Sequence, residues 1–268
     1  MTVIYKPKGR ALEYSPLACN LYIGCKHGCK YCYAPGCMRR TLDDWHADAK
    51  VRHDVVDAFE KDAKWLSANR PDDENRRVLF CFLSDPYQPL EGRLHITRKC
   101  LRIARKYGIK VDVLTKGAYK RVSKDFDLMV SAQAHLGVTL SFFDDKKRKE
   151  WEPNAASVSE RLRVLKEAHA KGIYTWVSME PVIDPDEALK VIDAAHEFVD
   201  FWKVGKLNYN RAVESKVDWC AFRKNVEARL KKYKAHYYIK RSLRDYKGMR
   251  TGELRPRVFS AEAKRDII

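Results

Sequence analysis

Short apolar runs alternate along the chain with longer stretches in which apolar residues recur every three or four positions. A strand covered on both faces is wholly apolar, whereas a half-buried helix repeats with a period near 3.6 residues. On this basis the predicted strands are 17–24, 78–83, 109–114, 136–142, 173–178 and 201–204. The predicted helices are 41–70, 97–107, 119–134, 157–171, 185–197 and 219–233. Such alternation is typical of a parallel α/β fold that closes as a barrel or partial barrel.

Capping signals mark the start of two of these helices. Thr41 is followed by Asp44, and Ser157 is followed by Glu160. A hydroxyl residue with an acid three positions later satisfies the free amides of a first helical turn. We therefore expect helices to begin directly after Thr41 and after Ser157.

The pattern divides the chain into three parts: an N-terminal arm (1–16), the barrel (17–205) and a C-terminal extension packed on the same domain (206–268). A length of 268 residues suits one barrel-like domain, and 45% apolar residues can fill its core. No stretch approaches the roughly 18–20 uninterrupted apolar residues of a membrane span. The first residues lack the apolar segment of a secretory signal. We therefore expect a cytoplasmic protein.

The formal net charge of +17 is concentrated near the C-terminal end. From Lys203 to Arg257 the chain has 17 basic and 5 acidic residues, a net charge of +12. Cations for phosphates, interleaved with flat rings for bases, are typical of nucleic-acid binding. A solvated basic helical surface would give the same count, so both readings stay open. The interleaved aromatic residues are Tyr209, Trp219, Phe222, Tyr233, Tyr237, Tyr238 and Tyr246.

Three cysteines crowd one loop, as Cys25, Cys29 and Cys32. Three thiolates can hold three irons of an iron–sulfur cluster and leave a fourth iron open. A structural zinc site normally closes with a fourth protein ligand, for which Cys19, Cys37 and His27 are the candidates. The spacing alone does not distinguish an iron–sulfur cluster from a zinc site. Lone cysteines such as Cys81, Cys100 and Cys220 are more typical of small core residues.

Polar residues follow the ends of the predicted strands. These are the pair Ser84-Asp85, then Lys116, Ser141 and Glu180. Barrel folds assemble their active sites at the carboxyl ends of the strands. We therefore expect these side chains to gather near the cysteine loop.

The same residues carry a resemblance to a known family. The chain has, in the family's order, Cys-Lys-His-Gly-Cys-Lys-Tyr-Cys-Tyr-Ala at 25–34, Ser-Asp-Pro-Tyr-Gln-Pro-Leu-Glu at 84–91, Leu-Thr-Lys at 114–116, Thr-Leu-Ser at 139–141, Trp-Glu-Pro-Asn at 151–154 with Arg161, and Met-Glu-Pro at 179–181. This set resembles the radical S-adenosylmethionine (SAM) superfamily, in its spore photoproduct lyase-like (DNA repair photolyase-like) branch. The resemblance spans roughly residues 17–185.

The resemblance implies a partial (β/α)6 TIM-like barrel, to which the chain adds a basic C-terminal extension. It also implies that Cys25, Cys29 and Cys32 ligate a [4Fe–4S] cluster whose open iron binds SAM. Reductive cleavage of SAM would yield a 5′-deoxyadenosyl radical that abstracts hydrogen from a substrate. Such an enzyme needs an electron donor, for example a flavodoxin or a ferredoxin.

The resemblance further implies a set of SAM contacts. Tyr31 would lie against the adenine, Ser84 and Ser141 would hydrogen-bond the cofactor, and Lys116 would pair with its carboxylate. These assignments agree with general chemistry, because a bound amino acid needs a cation for its carboxylate and hydroxyls for its other polar groups. Asp85 would accept from the ammonium group of SAM or face the substrate.

One position departs from the family's pattern. Spore photoproduct lyase has a hydrogen-donating cysteine directly before the Ser-Asp pair, where this chain has Leu83. Cys81, two residues earlier on the same side of a strand, could replace it only from deeper in the barrel. We therefore expect a radical reaction other than thymine-dimer repair.

Three function hypotheses follow. The first is a radical SAM enzyme that acts on DNA or RNA, which the basic C-terminal extension favours. The second keeps the enzyme but makes the substrate a peptide or small metabolite. The third, of another class, is a zinc-stapled nucleic-acid-binding module without catalysis.

Overall fold

The computed structural model describes residues 2–70 and 77–246. Their strands are β1 (Ile4–Tyr5), β2 (Leu17–Cys19), β3 (Tyr22–Ile23), β4 (Lys50–Val51), β5 (Val78–Phe80), β6 (Val111–Thr115), β7 (His135–Thr139), β8 (Thr175–Val182), β9 (Phe201–Lys206) and β10 (His236–Ile239). Residues 247–268, the last part of the predicted extension, lie outside the described residues.

One sheet of eight strands organises the described chain, in the order β1-β2-β5-β6-β7-β8-β9-β10. Strands β2 and β5 to β10 pair in parallel, and β1 pairs antiparallel with β2. The strands at the two ends of this order, β1 and β10, do not pair with each other. The sheet is therefore the expected partial barrel, in which β10 of the C-terminal extension adds a seventh parallel strand.

Helices follow most of the parallel strands. They are α1 (Ala34–Cys37), α2 (Leu42–Ala47), α3 (Val55–Asn69), α4 (Glu91–Leu94), α5 (Ile96–Lys106), α6 (Tyr119–Val122), α7 (Phe126–Ser131), α8 (Asp145–Trp151), α9 (Val158–Ala170), α10 (Pro185–Ala195), α11 (Arg211–Glu214), α12 (Trp219–Lys232) and α13 (Arg241–Arg244). Both capping signals are confirmed, because Thr41 accepts from the Asp44 amide and Ser157 forms a capping box with Glu160. Within the described residues, no helix is long and apolar enough to cross a membrane.

The single helix predicted for 41–70 is wrong. The chain forms α2, turns, pairs β4 with β3, and begins α3 only after Asp54, whose φ of 49° is left-handed. The apolar residues that suggested one period therefore belong to two helices and a strand. The predicted helix 119–134 is also interrupted, by a 3₁₀ turn at Ser123–Asp125.

The sheet has two differently covered faces. Residues such as Phe80 pack against the helices, with the rings of Phe80 and Phe59 5.4 Å apart. Alternate residues point to the inner face, where Leu79 and Trp176 form a second cluster. Gly137 leaves the space for that indole, since a Cβ there would lie 2.1 Å from the ring. Trp176 and Trp202 are both buried in the core.

Candidate active site

The cysteine loop joins β3 to α1 and is held from two sides. The Cys25 amide donates to the Trp45 carbonyl at 3.2 Å, and the Lys30 amide donates to the Trp151 carbonyl at 2.9 Å. Gly28 has a φ of +72°, and a Cβ there would lie 3.2 Å from Pro153. This position therefore favours glycine both for its backbone and for the close approach of the neighbouring segment.

The three loop thiols are shielded from water. Cys25 and Cys29 are buried, and Cys32 is half-buried. Burial raises the pKa of Cys29 to about 12 and also raises the pKa values of Cys25 and Cys32. Among the described residues, no three His, Cys, Asp or Glu side chains are grouped as ligands of a single ion. In an iron–sulfur cluster each thiolate binds a different iron, so the cysteines need not be grouped around a single ion. The assignment of Cys25, Cys29 and Cys32 as cluster ligands stays a prediction.

Asp85 ties the cysteine loop to two strand ends. Its Oδ1 accepts from the Tyr87 amide at 2.8 Å and from Thr115 Oγ1 at 2.6 Å. Its Oδ2 accepts from the Lys116 amide at 2.7 Å and lies 3.1 Å from His27 Nε2. Burial alone would raise the pKa of Asp85, but His27 and these hydrogen bonds lower it well below its usual value. All four contacts are with residues of the chain itself, and the catalytic role of Asp85 toward SAM or the substrate stays a prediction.

Lys116 projects a cation that has no carboxylate partner among the described residues. Its Nζ lies 5.7 Å from the centre of the Tyr31 ring and forms no ion pair there. Burial alone would lower the pKa of Lys116, but Cys29 and Glu152 raise it, so the amine is charged. A shielded ammonium group without a carboxylate partner fits the predicted SAM carboxylate.

A buried ion pair supports the Tyr31 ring. The Tyr31 hydroxyl donates to Glu152 Oε1, and Glu152 Oε2 lies 2.5 Å from Arg161 Nη2. Arg161 also donates to the Thr139 carbonyl at 3.0 Å, at the end of β7. Through this ion pair the Tyr31 hydroxyl is linked to the end of β7.

Two buried hydroxyls lack hydrogen-bond partners. Ser84 Oγ and Ser141 Oγ form no hydrogen bond with any described residue, although Ser84 lies near the Cys81 thiol. An unpaired buried hydroxyl costs about 1–3 kcal/mol. A bound cofactor that accepts from these groups would remove that cost. Lys116 and these two hydroxyls therefore fit SAM, as expected from the sequence.

Cys81 lies in the core on the helix side of the sheet. Its Sγ accepts from the Leu21 amide at 3.3 Å, and it neighbours the buried Cys19 and Cys100. Burial raises the pKa of Cys81 to about 12. Cys81 is therefore a buried core thiol, and its role as a substitute hydrogen donor stays a prediction.

A second polar group, of which the sequence analysis indicated only Glu180, lies along the last three strands. The Tyr14 hydroxyl donates to Glu180 Oε2 at 2.6 Å and lies 2.8 Å from Ser178 Oγ. Lys240 Nζ lies 2.5 Å from Glu180, and Lys203 Nζ donates to the Tyr14 carbonyl at 2.8 Å. Burial lowers the pKa of Lys203 to about 8. The residues come from the arm, β8, β9 and the end of β10, so no short motif reveals them.

The aromatic residues of the C-terminal extension do not form the exposed set that the sequence suggested. Trp219 and Phe222 are buried in the core, and Tyr233 stacks on His196 with ring centres 3.7 Å apart. Tyr209 is 83% exposed and lies beside Arg10. Part of the aromatic surface of the extension is therefore buried, and two of its described cations, Lys206 and Lys240, are buried in ion pairs.

The sequence profile of the radical SAM superfamily matches residues 19–199, which include the cysteine loop and the strand-end residues Ser84, Lys116 and Ser141. The chain belongs to the radical SAM superfamily. It is accordingly an enzyme whose cofactors are a [4Fe–4S] cluster and SAM. The alternative of a zinc-stapled module without catalysis is therefore wrong.

The chain is similar to several curated proteins that are named as uncharacterized. An uncharacterized protein of Methanocaldococcus jannaschii is 27% identical over 74% of this chain and 72% of its own length. Uncharacterized proteins of Acidianus two-tailed virus and Mycobacterium bovis are 27% and 25% identical, over 63% and 66% of this chain. The chain spans little more than half of these two relatives, 57% and 52% of their lengths.

Solved structures share the fold. A mutant of spore photoproduct lyase with bound AdoMet and dinucleoside spore photoproduct has a TM-score of 0.65, with 13% identity over 87% of this chain and 78% of that chain. Streptococcus suis SuiB bound to precursor peptide SuiA has a TM-score of 0.61, with 13% identity over 83% of this chain and 47% of that chain. At these identities the likeness shows the partial barrel alone.

Proposed function

We propose that Cys25, Cys29 and Cys32 hold the [4Fe–4S] cluster and that Lys116 binds the SAM carboxylate beside it. The observation that carries this proposal is the charged Lys116 amine, which has no carboxylate partner among the described residues. A charge-assisted contact there contributes about 1.5–3 kcal/mol. The cysteine loop supports the same proposal, because Cys29 is the neighbour that raises the pKa of Lys116 most.

The remaining side chains would orient the cofactor. The hydroxyls of Ser84 and Ser141 would hydrogen-bond it, and the Tyr31 ring, fixed by Glu152, would lie against its adenine. When bound, the cluster and SAM supply a 5′-deoxyadenosyl radical that removes hydrogen from a substrate C–H bond. The role of this chain is to position those groups and to exclude water from them.

We propose a nucleic acid, DNA or RNA, as the substrate class. The support is electrostatic: the net charge of +12 between Lys203 and Arg257 favours a polyanion. Within the described part, Lys224 and Lys231 are exposed on α12. The fold neighbour spore photoproduct lyase was solved with a dinucleoside photoproduct. Since Leu83 stands where that lyase has its hydrogen-donating cysteine, we propose nucleic-acid modification other than thymine-dimer repair.

A peptide substrate is the second candidate. SuiB, of the same fold, was solved with its precursor peptide. In this chain the polar group of Tyr14, Glu180, Lys203 and Lys240 carries charges of both signs, which suit a peptide as well as a polyanion. A small metabolite would need no extended basic surface.

A labelling experiment separates these substrates. The reduced enzyme would be incubated with 5′-deuterated SAM and, separately, with DNA, RNA and peptide pools. We expect SAM consumption to rise with a nucleic acid. The labelled 5′-deoxyadenosine should gain one unlabelled hydrogen from that nucleic acid, or deuterium should pass to the nucleic acid if a hydrogen is returned. Stimulation by peptides alone would overturn the nucleic-acid proposal and favour the second candidate.

A further inference from the structure

A second basic surface lies on helices α4 to α6, away from the C-terminal extension. From Arg93 to Lys124 the chain has 11 Lys and Arg residues and one acidic residue, Asp112. One of the 11, Lys116, belongs to the proposed cofactor site and not to this surface. We name the part of it that lines two adjoining cavities the basic flank. It consists of His95, Arg98, Lys99, Arg102, Arg121 and Lys124.

The cavities make the basic flank concave. One has a volume of about 290 Å³ and the other about 300 Å³, and they share His95 and Arg98. The acidic residues of the first cavity, Glu91 and Asp125, are buried and already bonded. Glu91 accepts from the Thr97 amide at 3.0 Å, and Asp125 accepts from Tyr87 at 2.8 Å.

Most cations of the basic flank have no such partner. Arg98 pairs with Asp125, but Lys99, Arg102 and Lys124 are exposed and form no ion pair with any described residue. The flank therefore presents unpaired positive charge around two depressions. A surface of this kind attracts an acidic partner and accelerates its association.

The basic flank is one layer of residues away from the cysteine loop. That layer is the segment 84–91. On its inner side, Gln88 accepts from the Lys26 amide at 3.2 Å and donates to the Gly24 carbonyl at 3.3 Å, on either side of Cys25. On its outer side, Arg121 Nε donates to the Tyr87 carbonyl at 2.9 Å. The cavities thus lie directly behind the loop that carries the proposed cluster ligands.

The flank is also outside the barrel. The opposite face of α5, which includes Cys100, Leu101 and Ala104, is buried against the sheet. The proposed substrate site at Lys116 and Ser141 lies at the strand ends, so a substrate bound there needs no contact with the outer face of α5. The position and charge of the basic flank therefore favour the binding of a partner protein that acts on the cluster, and not the binding of the substrate.

We propose that the basic flank docks an acidic one-electron carrier protein that reduces the cluster. The proposal rests on the assignment of the cluster to Cys25, Cys29 and Cys32. In the step, the reduced carrier loses one electron and the cluster gains it, and no covalent bond forms or breaks. Segment 84–91 would separate the carrier from the cysteine loop, and weak, salt-sensitive docking is typical of such electron-transfer pairs.

A charge-reversal pair tests the surface directly. Lys99→Glu with Arg102→Glu changes the flank by four charge units at exposed positions. The matched control, Lys224→Glu with Lys231→Glu, makes the same change on α12. Binding of a flavodoxin and of a 20-base-pair DNA duplex would be measured for each protein at low and high salt. Cluster reduction by the flavodoxin and by dithionite would be followed optically.

We expect the flank variant to bind flavodoxin about tenfold or more weakly at low salt, with the difference shrinking as salt screens the charges. Its reduction by flavodoxin slows, while dithionite still reduces its cluster and DNA binding is unchanged. The α12 control should retain flavodoxin binding. Unchanged flavodoxin binding in the flank variant, or a loss of DNA binding instead, would overturn the proposal. A wild-type protein without any dithionite-reducible cluster would refute the cysteine assignment separately.

Discussion

The buried pair of Arg161 and Glu152 offers a quantitative test of how the site is supported. Both side chains are almost fully buried, at 1% and 0% exposure, and their charged atoms are 2.5 Å apart. In Arg161→Met the Glu152 carboxylate stays buried without its main counter-charge. Removing one partner of such a pair costs about 3–5 kcal/mol. At about 2–4 °C per kcal/mol for a chain of this size, Tm should fall by about 6–20 °C.

The assay is thermal unfolding of the cofactor-free protein at pH 7, followed by circular dichroism. Arg163→Met is the matched control on the same helix, since Arg163 is 59% exposed and pairs with Glu167 at the surface. We expect that control to lose less than about 1 kcal/mol. Replacing both partners, as Glu152→Leu with Arg161→Met, should recover part of the lost stability because no buried charge is left unpaired.

The pH dependence of stability tests the sign of this effect. Burial alone would raise the pKa of Glu152, but Arg161 and Lys116 lower it, so the carboxylate stabilises the wild type above its unfolded pKa. That stability is lost only as pH falls through the lowered folded pKa. In Arg161→Met the pKa of Glu152 rises, so Glu152 becomes protonated and neutral as pH falls from 7 towards 5. The stability deficit of the variant should therefore shrink over that range. A variant no less stable than Arg163→Met, or one whose deficit grows at lower pH, would refute the reasoning.

Three further predictions concern the cofactor site. Lys116→Met should weaken SAM binding about 10- to 100-fold in equilibrium dialysis, because a charge-assisted contact is lost. The control Lys120→Met, at an exposed position, should bind SAM with normal affinity. Equal SAM affinity of the two variants would contradict the assignment of Lys116. Gly28→Ala should lower the iron content after reconstitution, because φ is +72° and the Cβ meets a neighbouring proline, whereas Gly36→Ala meets no atom within 4 Å and should not. Burial raises the pKa values of the three loop cysteines, so cluster assembly should release protons and become less favourable between pH 8.5 and pH 6. Iron uptake that is independent of pH, measured with proton release in weak buffer, would contradict that reading.

The strand–helix alternation was readable because buried parallel strands leave wholly apolar runs. Strands β5 to β9 and helices α5, α9, α10 and α12 lie within a few residues of their predicted positions. The prediction of a single helix for 41–70 failed because the turn before α3 depends on the left-handed conformation of Asp54 and on the pairing of β3 with β4. Neither feature leaves a mark on local apolar periodicity.

The candidate site was predictable where it follows strand ends in sequence. Ser84, Lys116 and Ser141 follow the strand ends, where the sequence placed them, whereas the roles of these residues and of Asp85 stay predictions. Tyr14 could not be found, because it comes from an arm that shows no apolar pattern. The basic flank was overlooked because its charges are spread over three helices and only the fold brings them around the same cavities.

The central claim is that three loop cysteines hold a cluster that cleaves SAM. It is tested most directly by anaerobic reconstitution of the wild type, Cys29→Ala and Cys37→Ala, with iron and 5′-deoxyadenosine measured for each. We expect about four irons per chain and reductant-dependent 5′-deoxyadenosine from the wild type. Cys37→Ala should give the same result, because the Cys37 thiol is exposed and lies outside the cysteine loop. Cys29→Ala should lose SAM cleavage. If Cys29→Ala still forms 5′-deoxyadenosine at the wild-type rate, the claim is wrong.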